Sequence, residues 1–364
     1  MLRISRLIIM GVLPFGPLGI VSASGQAPAP TPVDQSLAAY VSTKDSARLP
    51  DGRAIHVVCM GQGSPTVILT AGGGGWGISW NKVQPAVAKK TRVCAWDSAG
   101  FGLSQISPAP QTIDNTTSDL EAALKAAKIA GPYVAVGQSL GGLETLLFKD
   151  RQPRNVVGMV LVDPTTPARV TPAAPAPPGR TFPEPPAVAF FHTCAAGLRA
   201  GTVRAGADPD GCLRGETFPP EYPPELRAAL DKHPADLPPE MVASAMDFLA
   251  ASASPQWVLE DTRIVVKPDR NYGNMPLIVL TAGELQPPPP GLPAPSEAQA
   301  RSILDQFRRG HDEMAALSTR GVNRVVEDSS HNIHLIKPQV VIDSIDQVVD
   351  EARTDMAKSR TPAR

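Results

Sequence analysis

Short apolar runs alternate along this chain with stretches of helical periodicity. Residues 54–60 and 66–70 (TVILT) read as strands, divided by the turn residues Gly61-Gln62-Gly63-Ser64-Pro65. Residues 91–96 (TRVCAW), 132–136, 156–162 (VVGMVLV), 276–281 (PLIVLT) and 323–327 (NRVVE) read as further strands. Helical patterns fill the gaps at 83–90, 113–129, 142–149, 296–317 and 338–352. In the second of these, Leu120, Leu124 and Ala127 share one face; in the last, Val341, Ile345 and Val348 do. Strands without clear alternation, separated by helices, predict an α/β fold whose mostly parallel central sheet is covered by helices on both faces.

The pattern breaks at both ends and in the middle. Arg3 and Arg6 precede an apolar run over 7–21, and the small residues Ser22, Ala23, Ser24 and Gly25 follow. That is the layout of a secretory signal at 1–25. The run is short for a membrane span and holds Pro14 and Pro17, so a retained anchor is the lesser reading. Residues 26–45 form a flexible lead-in. The α/β core takes 46–163 and 275–353. Between them, 164–274 carries many of the chain's 40 prolines and reads as an inserted cap, with helices expected at 224–233 and 239–251. Residues 354–364 read as a charged tail.

Size and charge narrow the function classes. A chain of 364 residues holds one large α/β domain with an insertion. A net charge of −1 gives no basic face, so nucleic acid is not an expected partner. The four cysteines fit an exported protein, periplasmic or secreted, with no stable membrane association once the signal is removed. Bridges are expected at Cys59–Cys94 and Cys194–Cys212, although three pairings, or four free thiols, are open from sequence alone.

The chemistry centres on Gly137-Gln138-Ser139-Leu140-Gly141, a G-x-S-x-G pentapeptide between a strand and a helix. Alone the pattern is weak. Between those elements it describes a nucleophile elbow, where a strained turn lifts the serine hydroxyl clear of the sheet. The flanking glycines let strand and helix approach where a Cβ would collide. A serine needs a base in contact. Of six histidines (His56, His192, His233, His311, His331 and His334), His331 follows the last predicted strand, at the sheet edge where a loop reaches Ser139. His334 is its neighbouring competitor. Asp163 and Glu284 each follow a strand on that edge and compete to orient the imidazole; Asp163 is preferred. Backbone N–H groups of Leu140 and of Gly73, within Gly72-Gly73-Gly74-Gly75, are the expected oxyanion donors. No Walker lysine follows the glycines and no G-x-G-x-x-G fingerprint occurs, so no nucleotide cofactor is implied. Cysteine and histidine spacings give no metal site.

Five landmarks, in order, resemble the α/β-hydrolase fold family, of the serine-hydrolase, esterase-like kind. They are Ala71-Gly72-Gly73-Gly74, Asp97-Ser98-Ala99-Gly100-Phe101-Gly102-Leu103-Ser104, the elbow, Val160-Leu161-Val162-Asp163-Pro164, and Ser330-His331 with the trailing Pro338. The resemblance spans 50–163 and 275–352. It implies the nucleophile at Ser139, the base at His331 and a structural turn at Asp97. Two positions depart from it: Ala71 stands where the family has histidine, and Gln286 where the aspartate after the seventh strand belongs. Some members carry the acid after the sixth strand, which favours Asp163. The family's strand order sets the second strand antiparallel beside the fourth, which supports Cys59–Cys94.

The resulting expectation is an exported serine hydrolase that cleaves an ester-like bond in a small-molecule substrate, without a cofactor. Aminopeptidase, lactonase and C–C hydrolase chemistry share the same machinery. A non-catalytic ligand-binding protein on this scaffold is the alternative of another class.

Overall fold

The computed structural model describes residues 46–109, 111–166, 186–204, 206–213, 267–286 and 294–360, with scattered positions in 37–44 and 239–250. Within these, eight strands form one sheet: β1 (Ser46–Arg48), β2 (Ala54–Met60), β3 (Thr66–Thr70), β4 (Val93–Trp96), β5 (Tyr133–Gln138), β6 (Val156–Val162), β7 (Leu277–Ala282) and β8 (Val322–Val326). Their spatial order is β1-β2-β4-β3-β5-β6-β7-β8. Strands β3 to β8 are parallel, while β2 pairs antiparallel with both β1 and β4. The helices are α1 (Gln84–Val87), α2 (Ile113–Ala126), α3 (Leu140–Arg151), α4 (Pro186–Arg199), α5 (Glu297–Ala315), α6 (Ile333–Ile336) and α7 (Pro338–Arg360).

Both faces of the sheet are buried, which is why its strands show no alternation in the sequence. Val67, Leu69, Val134, Val136, Val160 and Val162 pack in one cluster with Val341, Ile345 and Val348 of α7. The intervening residues Ile68, Ala135, Met159 and Leu161 join Leu120 and Leu124 of α2 and Leu143 and Leu146 of α3. Successive side chains of each strand thus serve opposite layers. The parallel strands all end on one rim, so the residues just after β5, β6, β7 and β8 are brought together.

The register of β2 against β4 sets Cys59 directly opposite Cys94, and the two are disulfide-bonded. Cys194 and Cys212 form the second disulfide. Cys194, Leu198, Val203, Cys212, Val242 and Ala243 make a small apolar cluster of their own within the proline-rich middle segment.

Several elements differ from the sequence reading. The helix expected over 83–90 is only the short α1 followed by turns, and α2 stops at Ala126. Strand β1 and helix α4 were not anticipated; α4 opens with Pro186 behind a run of prolines that hides its periodicity. Helix α7 continues to Arg360 and does not end at Ala352. No glycine or proline interrupts it before Pro362, and Arg320 pairs with Glu351 and, at 2.6 Å, with Asp355, which ties the last turns to the body. Residues 239–251 are helical at their described positions, whereas the expected helix at 224–233 and the signal segment lie outside the described residues. No helix among the described residues is long and apolar enough to cross a membrane.

Candidate active site

Strand β5 ends at Gln138 and α3 begins at Leu140, so Ser139 makes the whole turn between them. Its backbone sits at φ 51°, ψ −121°. A non-glycine residue in that region is strained, and such strain persists only where the surroundings enforce it. The enforcement is visible. The Ser139 N–H donates to the Val162 carbonyl at 3.1 Å, and the Ser139 carbonyl accepts from Gly142 N at 2.9 Å and Thr165 N at 2.8 Å. The flanking glycines do what the motif requires of them. A Cβ on Gly137 would lie 2.2 Å from the Gly141 carbonyl oxygen, and one on Gly141 would lie 2.4 Å from that of Ala71.

Asp163 follows β6 and also has a positive φ, 43°. Among the described residues only Lys128 shares that property with Ser139 and Asp163 outside glycine. The Asp163 N–H donates to the Leu280 carbonyl at 2.7 Å, and its Oδ1 accepts from Ala282 N at 2.8 Å. These two bonds to β7 turn the carboxylate toward the loop after β8. There its Oδ2 lies 2.6 Å from His331 Nδ1. The aspartate side chain is 13% exposed and the histidine 35%, so the pair is shielded on the acid side and open on the imidazole side. Glu284 donates its backbone N–H to the Ser329 carbonyl at 3.0 Å and lines the adjoining cavity, so it holds the loop that carries His331.

The far nitrogen of His331 meets a residue that the sequence reading did not single out. Gln138 Nε2 lies 3.2 Å from His331 Nε2. An amide N–H can only donate, so His331 Nε2 is the accepting nitrogen and Nδ1 carries the proton toward Asp163. That is the tautomer a general base needs. Gln138 is the variable residue before the serine in the pentapeptide, and that adjacency was the one available signal. Gly72 packs over both: a Cβ there would fall 2.3 Å from Gln138 Oε1 and 2.9 Å from Ser139 Cβ. Gly73 is exposed and lies against Leu140, its ideal Cβ position 3.6 Å from Leu140 Cδ2. The loop is anchored beyond the glycines, where Gly77 N donates to Asp97 Oδ1 at 2.8 Å. Asp97 Oδ2 in turn accepts from Leu103 N at 2.9 Å and pairs with His56 Nδ1 at 2.9 Å, so His56 braces a turn away from the serine.

The other histidines separate by position. His192 lies exposed on α4, and His233 falls outside the described residues. His334, the neighbouring competitor, points into the core on α6 with its ring centroid 4.9 Å from that of Trp80. Burial, reinforced by the positive charges of His331 and Lys82, pushes its pKa down to about 3. The folded value lies below the ordinary 6.5, so the unfolded chain binds the proton first as pH falls. Stability is therefore full above about pH 6.5 and is lost progressively toward about 3, at about 1.4 kcal/mol per pH unit. His334→Phe keeps an aromatic ring beside Trp80 and cannot titrate. Between pH 7.5 and 5 it is expected to lose about 2 kcal/mol less than the parent chain in urea unfolding. Equal losses in both proteins would show that His334 does not titrate as its burial implies.

A cavity of about 350 Å³ opens beside the Asp163–His331 pair, lined by Thr166, Glu284, Leu285, Leu304 and Phe307 among others. Its walls are mostly apolar, and Phe307 is 44% exposed into open space. Among the described residues no cluster of His, Cys, Asp and Glu has the arrangement of a metal site.

Strained serine, carboxylate-paired histidine and glycine loop all stand on the rim where parallel strands end, in the chain order Ser139, Asp163, His331. The model of the alpha/beta hydrolase family matches residues 67–344, and the chain belongs to that family. It is 34% identical over 115 residues to the protein YqjL of Bacillus subtilis, a match covering 31% of this chain and 46% of that one. The chain matches less than half the length of the curated relatives it resembles. Its fold is similar to a thermophilic esterase from Thermogutta terrifontis, with TM-score 0.53 and 20% identity over 84% of this chain and 98% of that one. It is also similar to the enol-lactonase from Burkholderia xenovorans LB400, with TM-score 0.52 and 19% identity over 84% and 99% of the two chains.

Proposed function

We propose that this protein is an exported serine hydrolase that cleaves an ester-like bond through an acyl-enzyme. Ser139 Oγ attacks the carbonyl carbon of the substrate, and His331 Nε2 takes the serine proton. Gln138 must release Nε2 for this step, and the arriving hydroxyl replaces its amide N–H. Asp163 holds Nδ1–H and stabilises the imidazolium that forms. The oxyanion of the tetrahedral intermediate accepts from the N–H groups of Leu140, at the first turn of α3, and Gly73. Collapse expels the leaving alkoxide, which takes the proton from Nε2 and departs as the alcohol. Water then attacks the acyl carbon, gives its proton to Nε2, and the serine oxygen leaves and recovers it. No external oxidant or cofactor enters this balance.

The observation that carries the reading is the 2.6 Å bond between Asp163 Oδ2 and His331 Nδ1, on the rim that also holds the strained Ser139. The apolar cavity beside the pair fits an uncharged organic acyl or alcohol group. Two disulfides fit an oxidising compartment, as does the signal-like segment at 1–25. A fluorophosphonate tests the chemistry directly, because an activated serine displaces its fluoride and is covalently labelled. Mass spectrometry of the digest is expected to place the adduct on the peptide carrying Ser139. An intact protein after prolonged exposure would favour the non-catalytic binding protein. Ester, lactone and aminoacyl-amide substrates assayed side by side then separate the related activities.

A further inference from the structure

One buried histidine has no part in that mechanism. Helix α5 starts at a capping box, in which the Ser296 hydroxyl accepts from Gln299 N and the Gln299 side chain accepts from Ser296 N. Near its other end the helix inserts His311, fully buried, beneath the loop that carries Asp163. His311 Nε2 lies 2.8 Å from the Pro164 carbonyl oxygen. Its Nδ1 lies 2.8 Å from Thr281 Oγ1 on β7 and 4.0 Å from Asp163 Oδ1. The contacts continue outward. Thr281 Oγ1 is 2.6 Å from Asn323 Oδ1 on β8, and Asn323 Nδ2 is 2.8 Å from Asp312 Oδ1 at the surface.

The direction of each bond in this chain follows from its outer end. An ionised Asp312 only accepts, so Asn323 must turn its amide N–H toward it and its carbonyl toward Thr281. The single Thr281 hydroxyl proton then goes to Asn323. That leaves a lone pair of Thr281 Oγ1 facing His311 Nδ1, which must donate. On the other side, the Pro164 carbonyl also only accepts, so Nε2 must donate as well. Both nitrogens of His311 carry protons only in the imidazolium form.

We propose that His311 is held as a buried imidazolium beneath Asp163, where it acts as a positioning residue that keeps the acid ionised and the base, His331, free of its proton. The inference rests on the reading of Asp163 and His331 as acid and base. Among the described residues, the ionisable groups facing the ring are Asp163 from the loop after β6, His331 from the loop after β8, and Asp312 on α5 itself; β7 and β8 contribute the neutral Thr281 and Asn323. Burial, the largest influence, and the charge of His331 pull the ring's pKa below its ordinary value, over the opposing pull of the Pro164 carbonyl, Asp163 and Asp312. The bond directions point the other way. A neutral His311 would set its Nδ1 lone pair against that of Thr281 Oγ1, or else rotate the hydroxyl and leave two oxygens 2.6 Å apart with no proton between them.

Nitrogen-15 NMR of the full-length exported chain reads the ring directly, with the His311 signals assigned by their absence in His311→Gln. Both nitrogens are expected to show protonated shifts at pH 7. A bare Nδ1 at that pH overturns the proposal. The functional consequence is read from the pH dependence of fluorophosphonate labelling at Ser139. Removing the cation lets His331 hold its proton to higher pH, so in His311→Gln the labelling midpoint is expected to rise by about half a pH unit or more. Thr281→Val, which keeps the His311 side chain and removes the acceptor facing its Nδ1, is expected to move it in the same direction, and Thr281→Ser to restore it. A fall in rate at every pH with an unmoved midpoint would mean that His311 only packs the loop. If nothing labels at any pH, the hydrolase reading fails, and the NMR shifts still decide the charge of His311.

Discussion

Ser139→Ala is expected to lower kcat on a chromogenic ester by on the order of 10⁴-fold or more, with the fold unchanged. The substitution removes the oxygen proposed to attack the substrate and nothing that supports the elbow. The hydrogen bonds that enforce the turn are all made by the backbone of Ser139, whose side chain makes no capping bond to α3. Alanine tolerates φ 51° about as well as serine does, so the strain is unaltered. Matching circular dichroism spectra and thermal midpoints would establish that the variant is folded. A folded Ser139→Ala protein with substantial turnover would remove the basis of the acyl-enzyme mechanism.

The second large effect separates the two candidate acids. Asp163→Asn preserves shape, and its carbonyl oxygen can still accept from Ala282 N, the bond Asp163 Oδ1 makes at 2.8 Å. It then presents an NH₂ group to His331 Nδ1, where Oδ2 sits at 2.6 Å. Nδ1 is forced to accept, the proton moves to Nε2, and the imidazole can no longer receive the serine proton. The expected loss in kcat is on the order of 10⁴-fold. Glu284→Gln is expected to change kcat by no more than about twofold, since that residue's observed bond to the loop is made by its backbone. Steady-state rates of the two variants measured together check the assignment. The reverse ranking would return the acid to Glu284.

Much of the rim was legible because its determinants are local. The glycines at 137 and 141 announce a close approach of strand and helix, and the distances at which their Cβ atoms would collide explain why no larger residue serves there. The strand runs were legible as continuous apolar blocks because helices cover both faces. The cysteine pairs were drawn from their predicted elements, and the register of β2 on β4 accounts for the first of them. Helix α4 was hidden by the prolines before it, and the last turns of α7 are tied down by Arg320, which lies in the turn between α5 and β8. The contacts of Gln138 with His331 and of His311 with the Asp163 loop join positions far apart in the chain. No spacing rule encodes them.

By itself the amino-acid order determined the layered α/β architecture, the site of the elbow and the short set of candidate site residues, since hydrophobic periodicity and glycine placement act over a few residues. The tertiary structure alone decided which carboxylate faces His331, that His334 is buried against Trp80, and that His311 lies beneath Asp163. Those outcomes turn on ångström-scale distances between the ends of β5, β6, β7 and β8, which arise only when the sheet and its covering helices pack together.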